Sequence, residues 1–251
     1  METDDQGRLD IAKLPDLNSN TLVILQAGNV NSGSFGLFIG ACEKAKEAGA
    51  WVHVDGAFGL WAAASTSTQY LTEGIALADS WSVDGHKTLN APCDCGIILC
   101  KGRSLMVNAV QATGSYLQNG SEGNRDNMLH VPEMSRRARG IKLWALLRTF
   151  GRSGVDAMID RMCQRARLFA RLLPQQILND VVVVVCDTPE LTEATLSLIQ
   201  KNGDCWCSGS NWHGQSVVRV SVCSWATTAE DVEMSGRAFA RAYDSAKEQQ
   251  H

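Results

Sequence analysis

Two charged residues stand where buried strands should end. The apolar run "WVHV" at 51–54 stops on Asp55 and passes into the small residues "GAFG". The run "SWSVD" at 80–84 is followed by "GHK" and so leads to Lys87. A carboxylate at the end of a buried strand needs a cationic or hydrogen-bonding partner, because an unpaired one carries a large desolvation penalty. A lysine held in an apolar pocket gives up its proton easily and can condense with an aldehyde. Each residue also has a plainer account. Asp55 can cap the following turn through the backbone N–H groups of "GAFG". Lys87 can be a solvated strand end, and His86 a hydrogen-bonded structural histidine.

The pair says more than either member. Asp55 and Lys87 are 32 residues apart, the length of one strand–helix–strand crossover. Both then sit at carboxyl ends of strands in one sheet, where α/β proteins gather their ligands. An amine for an aldehyde and an acid for a pyridine nitrogen are the two protein groups that pyridoxal phosphate chemistry requires.

The apolar spacing of the flanking segments sets the secondary structure around these residues. "TLVILQA" (21–27) is a buried strand followed by the Gly/Asn/Ser loop "GNVNSGSFG". "LFIGACEKAKEAG" (37–49) has helical apolar spacing and closes on Gly49. A strand over 51–55, a short helix over 67–78, and strands over 80–84 and 95–101 complete an α/β domain with a largely parallel sheet. Residues 103–135 are polar and rich in Gly, Asn and Ser, too long for an idle connection. A strong amphipathic helix over 135–151 ends at Gly151, and a second long helix stops at Pro174. After that, strands and helices alternate as in a small α+β domain. Its last helix is capped by Thr227 or Thr228, with acids in its first turn. The expected division is 1–152 and 153–251.

Composition removes several classes of function. The 251 residues are 45% hydrophobic and 20% charged, a globular balance, and the net charge of −4 offers no basic surface to nucleic acid or anionic lipid. No apolar run approaches the roughly 20 residues of a membrane span, and the acidic start "METDDQGRLD" is the reverse of a targeting peptide. A cytoplasmic location is the expectation. The nine cysteines are scattered, their close pairs are C-x-C, and reduced thiols rather than a metal site are expected.

"AWVHVDGAFG", "ADSWSVDGHKTLN" with "DCG" close behind, and "PEMSRRARGIKLWALLRTFGR" resemble the pyridoxal-phosphate-dependent amino-acid decarboxylases, the group of the aromatic amino-acid and glutamate decarboxylases. The resemblance runs from about residue 20 to the C-terminus. It implies an aspartate-aminotransferase-like (fold type I) large domain, truncated at its N-terminus, with a small C-terminal α+β domain. It also implies a homodimer acting on an amino acid to give an amine and carbon dioxide. By position, Lys87 matches the lysine of the internal aldimine, Asp55 the pyridinium partner, Ala57 the small residue against the ring, and His86 the histidine beside the lysine, near the cofactor phosphate. Asn29 lies in a loop matching one that touches the cofactor. Tyr116 matches the tyrosine of a mobile catalytic loop, which protonates the substrate carbon in the partner subunit's site. Family members are nearly twice this length, and Asp84 stands where an asparagine is common. A catalytically impaired, dimerising remnant and an aldehyde-forming relative are the alternative expectations.

Overall fold

The computed structural model describes residues 1–110, 127–133, 135–173, 176–177 and 182–249. Strands β1 (Leu22–Gln26), β2 (Trp51–Asp55), β3 (Ser80–Asp84) and β4 (Gly96–Cys100) form one sheet in that spatial order. The first three are parallel, and β4 returns antiparallel to β3. Side-chain alternation divides the sheet into two unlike faces. Val23, Leu25, Val52 and Val54 point to one side, where they pack with Phe38, Ala41, Cys42 and Ala45 of helix α1 (Phe38–Glu47). The small residues of α1 let the helix lie close on the strands. Gly49, at φ +70°, follows its end, as the expected stop requires.

The opposite face carries Leu22 and Ile24 of β1 and Ile98 of β4, each more than half exposed. Register places Trp51, His53 and Asp55 beside them on β2, and Ser80, Ser82 and Asp84 on β3. Parallel sheets are ordinarily buried on both sides, so this face is unusual in showing its aliphatic side chains to solvent.

The crossover from β2 to β3 departs from the expected helix. It consists of three short 3-10 turns, Leu60–Ala64, Gln69–Thr72 and Ile75–Leu77. The cause is local. The Thr68 hydroxyl donates to the Ala62 carbonyl at 3.1 Å, competing with helical bonds, and Gly74 sits at φ +78°. The stretch expected to be a polar loop from residue 103 instead begins with helix α2 (Arg103–Val110), and a 3-10 turn occupies Asn127–His130.

Helix α3 (Arg139–Leu172) contains the break that the sequence placed at Gly151, which has φ +59° and ψ −172°. Only glycine reaches that region cheaply. Beyond the break, Val155, Met158, Ile159 and Met162 pack with Leu89 of the first sheet's loops, and further along Phe169 enters a second core. That core belongs to an antiparallel sheet of β5 (Gln176–Ile177), β6 (Val182–Val185), β7 (Ser208–Trp212) and β8 (Gln215–Val220), ordered β5-β6-β8-β7. Strands β7 and β8 join through His213 and Gly214, both at positive φ, as a type I′ turn requires. Helices α4 (Pro189–Asn202) and α5 (Ala229–Glu248) supply Ile199 and Phe239 to the same core. Thr228 and Asp231 form a reciprocal capping box at the start of α5.

Polar contacts join the two halves. Thr66 and Ser67 donate to Asp156 and Asp160 of α3 at 2.7 and 2.8 Å. Ser210 of β7 donates to Asn31 at 2.8 Å, and both Ser32 and Ser34 donate to the Gln6 carbonyl at 2.6 Å. The 28–36 loop is thus gripped by the N-terminal arm and by the small sheet. No helix among the described residues is long and apolar enough to cross a membrane.

Candidate active site

Asp55 is the last residue of β2 and is partly buried. One carboxylate oxygen, Oδ1, accepts the Ala57 backbone N–H at 3.1 Å, so the turn-capping role is real. Among the described residues no donor is hydrogen-bonded to Oδ2. The strand tips around Asp55 are fastened by backbone bonds: Ala27 N–H donates to the Asp55 carbonyl at 2.8 Å, and Gly56 N–H to the Ser82 carbonyl at 2.9 Å. Gly59 is forced by a close approach, because a Cβ there would lie 2.5 Å from the Ala27 carbonyl oxygen. A larger residue would push the 56–59 turn off β1 and carry Asp55 with it.

Two residues before Asp55, on the same face, His53 is held through both ring nitrogens. Nδ1 lies 2.8 Å from the Ser80 hydroxyl and Nε2 3.2 Å from that of Ser82, while the Trp51 indole N–H donates to Ser80 at 2.9 Å. These bonds cross from β2 to β3 and fix the register on which the relation of Asp55 to the next strand depends. The alternation H-x-D in "WVHVD" was the signal for His53, and sequence reasoning passed over it.

Lys87 follows β3 and folds back onto its tip. Its Nζ lies 3.0 Å from Asp84 Oδ2, and His86 Nε2 lies 3.8 Å from the same oxygen. Asp84 is pinned through its backbone, donating to the Ala57 carbonyl at 3.2 Å and accepting the Trp61 indole N–H at 3.1 Å. Because Asp55 pairs with Ser82, Asp84 lies one pleat further along the same face. Standard strand spacings put the Cα atoms of Asp55 and Asp84 roughly 8 Å apart. The amine and the carboxylate therefore approach the same side of the sheet edge.

The other expected residues fall nearby with different commitments. Ala57 begins the turn after Asp55. His86 Nδ1 lies 3.3 Å from the Cys95 carbonyl. Asn29 spends most of its amide on its own loop: Oδ1 accepts from Asn31 and Ser32 N–H, and Nδ2 donates to Gln26 Oε1 at 2.7 Å. Gln26 is the register partner of Asp55, so Asn29 joins the row of strand tips at one remove. Tyr116 lies outside the described residues. Burial pushes the Cys95 thiol up, with Asp94 reinforcing it, so a protonated thiol rather than a competing thiolate lies beside the lysine turn. Asp94 itself is held below the usual carboxylate range by Arg137 and Arg139 of the segment entering α3.

A cavity of about 650 Å³ opens between the two halves, lined in part by Phe35, Phe58, Thr88, Met162 and Val222. It abuts the chain neighbours of the site, but Asp55, His86 and Lys87 are not in its wall. The paired charges of Lys87 and Asp84 lie instead at the open sheet face. Among the described residues no cluster of His, Cys, Asp or Glu could hold a metal ion, and the nine cysteines form no disulfide.

Residues 18–193 match the sequence model of the pyridoxal-dependent decarboxylase conserved domain. The chain belongs to the pyridoxal-dependent decarboxylase family. An aromatic-L-amino-acid decarboxylase of Drosophila lebanonensis is 30% identical over 238 residues, covering 90% of this chain and 59% of the relative. Among solved structures, Oryza sativa TDC with PLP and tryptamine superposes with a TM-score of 0.83 at 20% identity, covering 90% of this chain and 51% of that one. Rhodiola rosea 4-hydroxyphenylacetaldehyde synthase does so with a TM-score of 0.81 at 20% identity, covering 96% and 55%. The pyridoxal-dependent decarboxylase fold, fold type I, is therefore shared. The chain spans between half and three fifths of the length of these relatives. The donor set fits the family's cofactor at two points. Asp55 has an oxygen to spare for a pyridinium N–H, and Lys87 brings an amine to the same face.

Proposed function

We propose that the protein is a pyridoxal-phosphate-dependent amino-acid decarboxylase, in which Lys87 binds the cofactor aldehyde and Asp55 its ring nitrogen. The observation that carries this reading is the convergence of the spare Asp55 oxygen and the Lys87 amine on one face of the sheet, at the carboxyl ends of adjacent strands. Pyridoxal phosphate, when bound, supplies a ring that accepts the electron pair left by departing carbon dioxide. The protein's part is to hold that ring protonated and correctly turned.

Asp55 keeps a proton on the pyridine nitrogen, because a fixed carboxylate beside it favours the charged ring. The backbone bond from Ala57 N–H to Oδ1 aims the carboxylate, leaving Oδ2 for the ring. Ala57 gives the ring a flat, small neighbour. Lys87 must leave Asp84 to react, since only the neutral amine attacks an aldehyde. His86, between Asp84 and the Cys95 carbonyl, is suited to the phosphate end. Asn29 borders the same row through Gln26. Tyr116 is assigned the proton delivered to the substrate carbon across a homodimer interface. The substrate is an amino acid, and a cytoplasmic setting suits the free thiols.

A second reading, an aldehyde-forming member of the family, is favoured by the likeness to the Rhodiola rosea synthase. Product analysis separates the two: an amine with carbon dioxide and no oxygen uptake supports simple decarboxylation, whereas an aldehyde with carbon dioxide, ammonia and hydrogen peroxide, formed as dioxygen is consumed, supports the alternative. For the cofactor assignment, the protein is mixed with pyridoxal phosphate, reduced with borohydride and digested. The cofactor label is expected on Lys87. A label on other lysines alone, or none, sinks the assignment.

A further inference from the structure

The turn that carries Lys87 is tied to the small domain through one side chain. Asn90 adopts φ +55°, a left-handed conformation that asparagine tolerates better than most residues. Its amide nitrogen faces three carbonyl oxygens: Lys87 at 3.0 Å, Thr88 at 3.0 Å and Cys223 at 2.8 Å. Its amide oxygen accepts the Trp225 backbone N–H at 3.1 Å. The orientation is dictated by these partners, because a flipped amide would set its oxygen against three other oxygens. The first two contacts lie within the lysine turn. The other two reach across more than 130 residues to the segment that leads from β8 into α5.

The rest of the turn has little freedom of its own. Ala91 N–H donates to the Gly85 carbonyl at 2.8 Å, and Gly85 N–H to that of Cys95 at 2.7 Å. Thr88 hydroxyl donates to the Phe58 carbonyl at 2.8 Å, and Leu89 is fully buried against α3. The Lys87 carbonyl is the group of this turn that Asn90 shares between its own N–H and its side chain. A movement of the 223–225 segment therefore pulls on the peptide immediately after the reactive lysine.

We propose that Asn90 is a positioning residue that couples the small domain to Lys87, so that the placement of the amine depends on the docking of the 223–225 segment. The importance of Lys87 rests on the cofactor reading above; the mechanical coupling does not. The experiment uses the whole chain without cofactor. Lys87 is methylated reductively with formaldehyde and cyanoborohydride, its initial rate is read by peptide mass spectrometry, and exchange of the Trp225 amide is followed in parallel. Asn90→Asp keeps the shape but sets a carboxylate oxygen against three carbonyls. It is expected to speed Trp225 exchange about ten-fold, the loss of one net hydrogen bond, and to change the Lys87 rate at least about three-fold, with Lys44 and Lys101 unchanged.

A second variant approaches from the far end and leaves Asn90 intact. Thr228→Ala removes the cap that anchors the same segment to α5, and the coupling requires a change in the Lys87 rate there too, about two-fold. Should Asn90→Asp fail to fold, Thr228→Ala decides alone. An unchanged Lys87 rate despite faster Trp225 exchange overturns the coupling and leaves Asn90 a staple. A parallel borohydride trap with pyridoxal phosphate separates the two ideas. No cofactor on Lys87 together with coupled formaldehyde rates defeats the cofactor reading only, whereas cofactor on Lys87 with uncoupled rates defeats this inference only.

Discussion

Lys87 Nζ and Asp84 Oδ2 are 3.0 Å apart, so the amine expected to react is held in an ion pair by an acid three residues before it. The pair is partly open to water, with side-chain exposures of 41% and 24%, and an exposed pair of this kind is worth well under 1–2 kcal/mol. It is a restraint on the amine, not an obstacle to it. Asp84→Asn keeps the size and removes the charge. The rate at which pyridoxal phosphate becomes trapped on Lys87 near neutral pH should rise about two- to five-fold. An unchanged rate would show that Asp84 does not restrain the lysine, and a lower one that it assists it.

Asp55 has a capping role and a proposed role as ring partner, and substitution can separate the two. Its Oδ1 caps Ala57, which an asparagine carbonyl can still do, while the ring partner requires a full negative charge. Asp55→Asn should therefore keep the thermal midpoint within a degree or so and reduce turnover by about 10²-fold or more. Asp55→Ala should lose turnover and in addition about 1 kcal/mol of stability from the vacated cap. Equal turnover by wild type and Asp55→Asn would remove Asp55 from the chemistry.

The strand tips were legible because both arguments used periodicities the chain obeys. Val52 and Val54 alternate with His53 and Asp55, and the sheet follows that alternation. Gly151, and a threonine cap narrowed to Thr227 or Thr228, were legible for the same reason, since a left-handed break and a cap are local properties of one residue and its neighbours. What escaped was contact between distant segments. The sequence noted Asp84 only as a departure from an expected asparagine, because its pairing with Lys87 depends on the side chain folding back over the strand end. Asn90 could not be picked out, since half of its partners lie beyond residue 220. The single short helix expected over 67–78 is instead the two 3-10 turns Gln69–Thr72 and Ile75–Leu77, because Thr68 and Gly74 divert the backbone.

Acid should loosen the junction between α3 and the first sheet. The Thr66 hydroxyl and N–H bonds hold the Asp156 carboxyl below its ordinary value. A group depressed in the folded state contributes stability that is fully present above the unfolded value, about 3.9 for Asp, and is lost as pH falls through the folded value. Asp94 and Asp231 are lowered as well, so the contribution of Asp156 must be read as a difference. Denaturation midpoints of wild type and Asp156→Asn, followed from about pH 6 down to about pH 2, should converge at the acid end. Parallel curves would mean the Thr66 contact does not form in solution.

The open sheet face should make the chain associate with copies of itself. Leu22, Ile24 and Ile98 are each about half exposed on it, and among the described residues β1 pairs on one side only, with β2. An unpaired strand edge beside exposed aliphatic side chains is a template for another chain. Sedimentation velocity over a range of concentrations should show a monomer giving way to larger species. Ile24→Lys places a charge in the middle of that surface without touching the buried face of β1, and should shift the distribution back towards monomer while circular dichroism stays the same. A wild-type chain that remains monomeric at every concentration would mean that the edge and its aliphatic side chains are protected in solution, and would count against a homodimer of this chain.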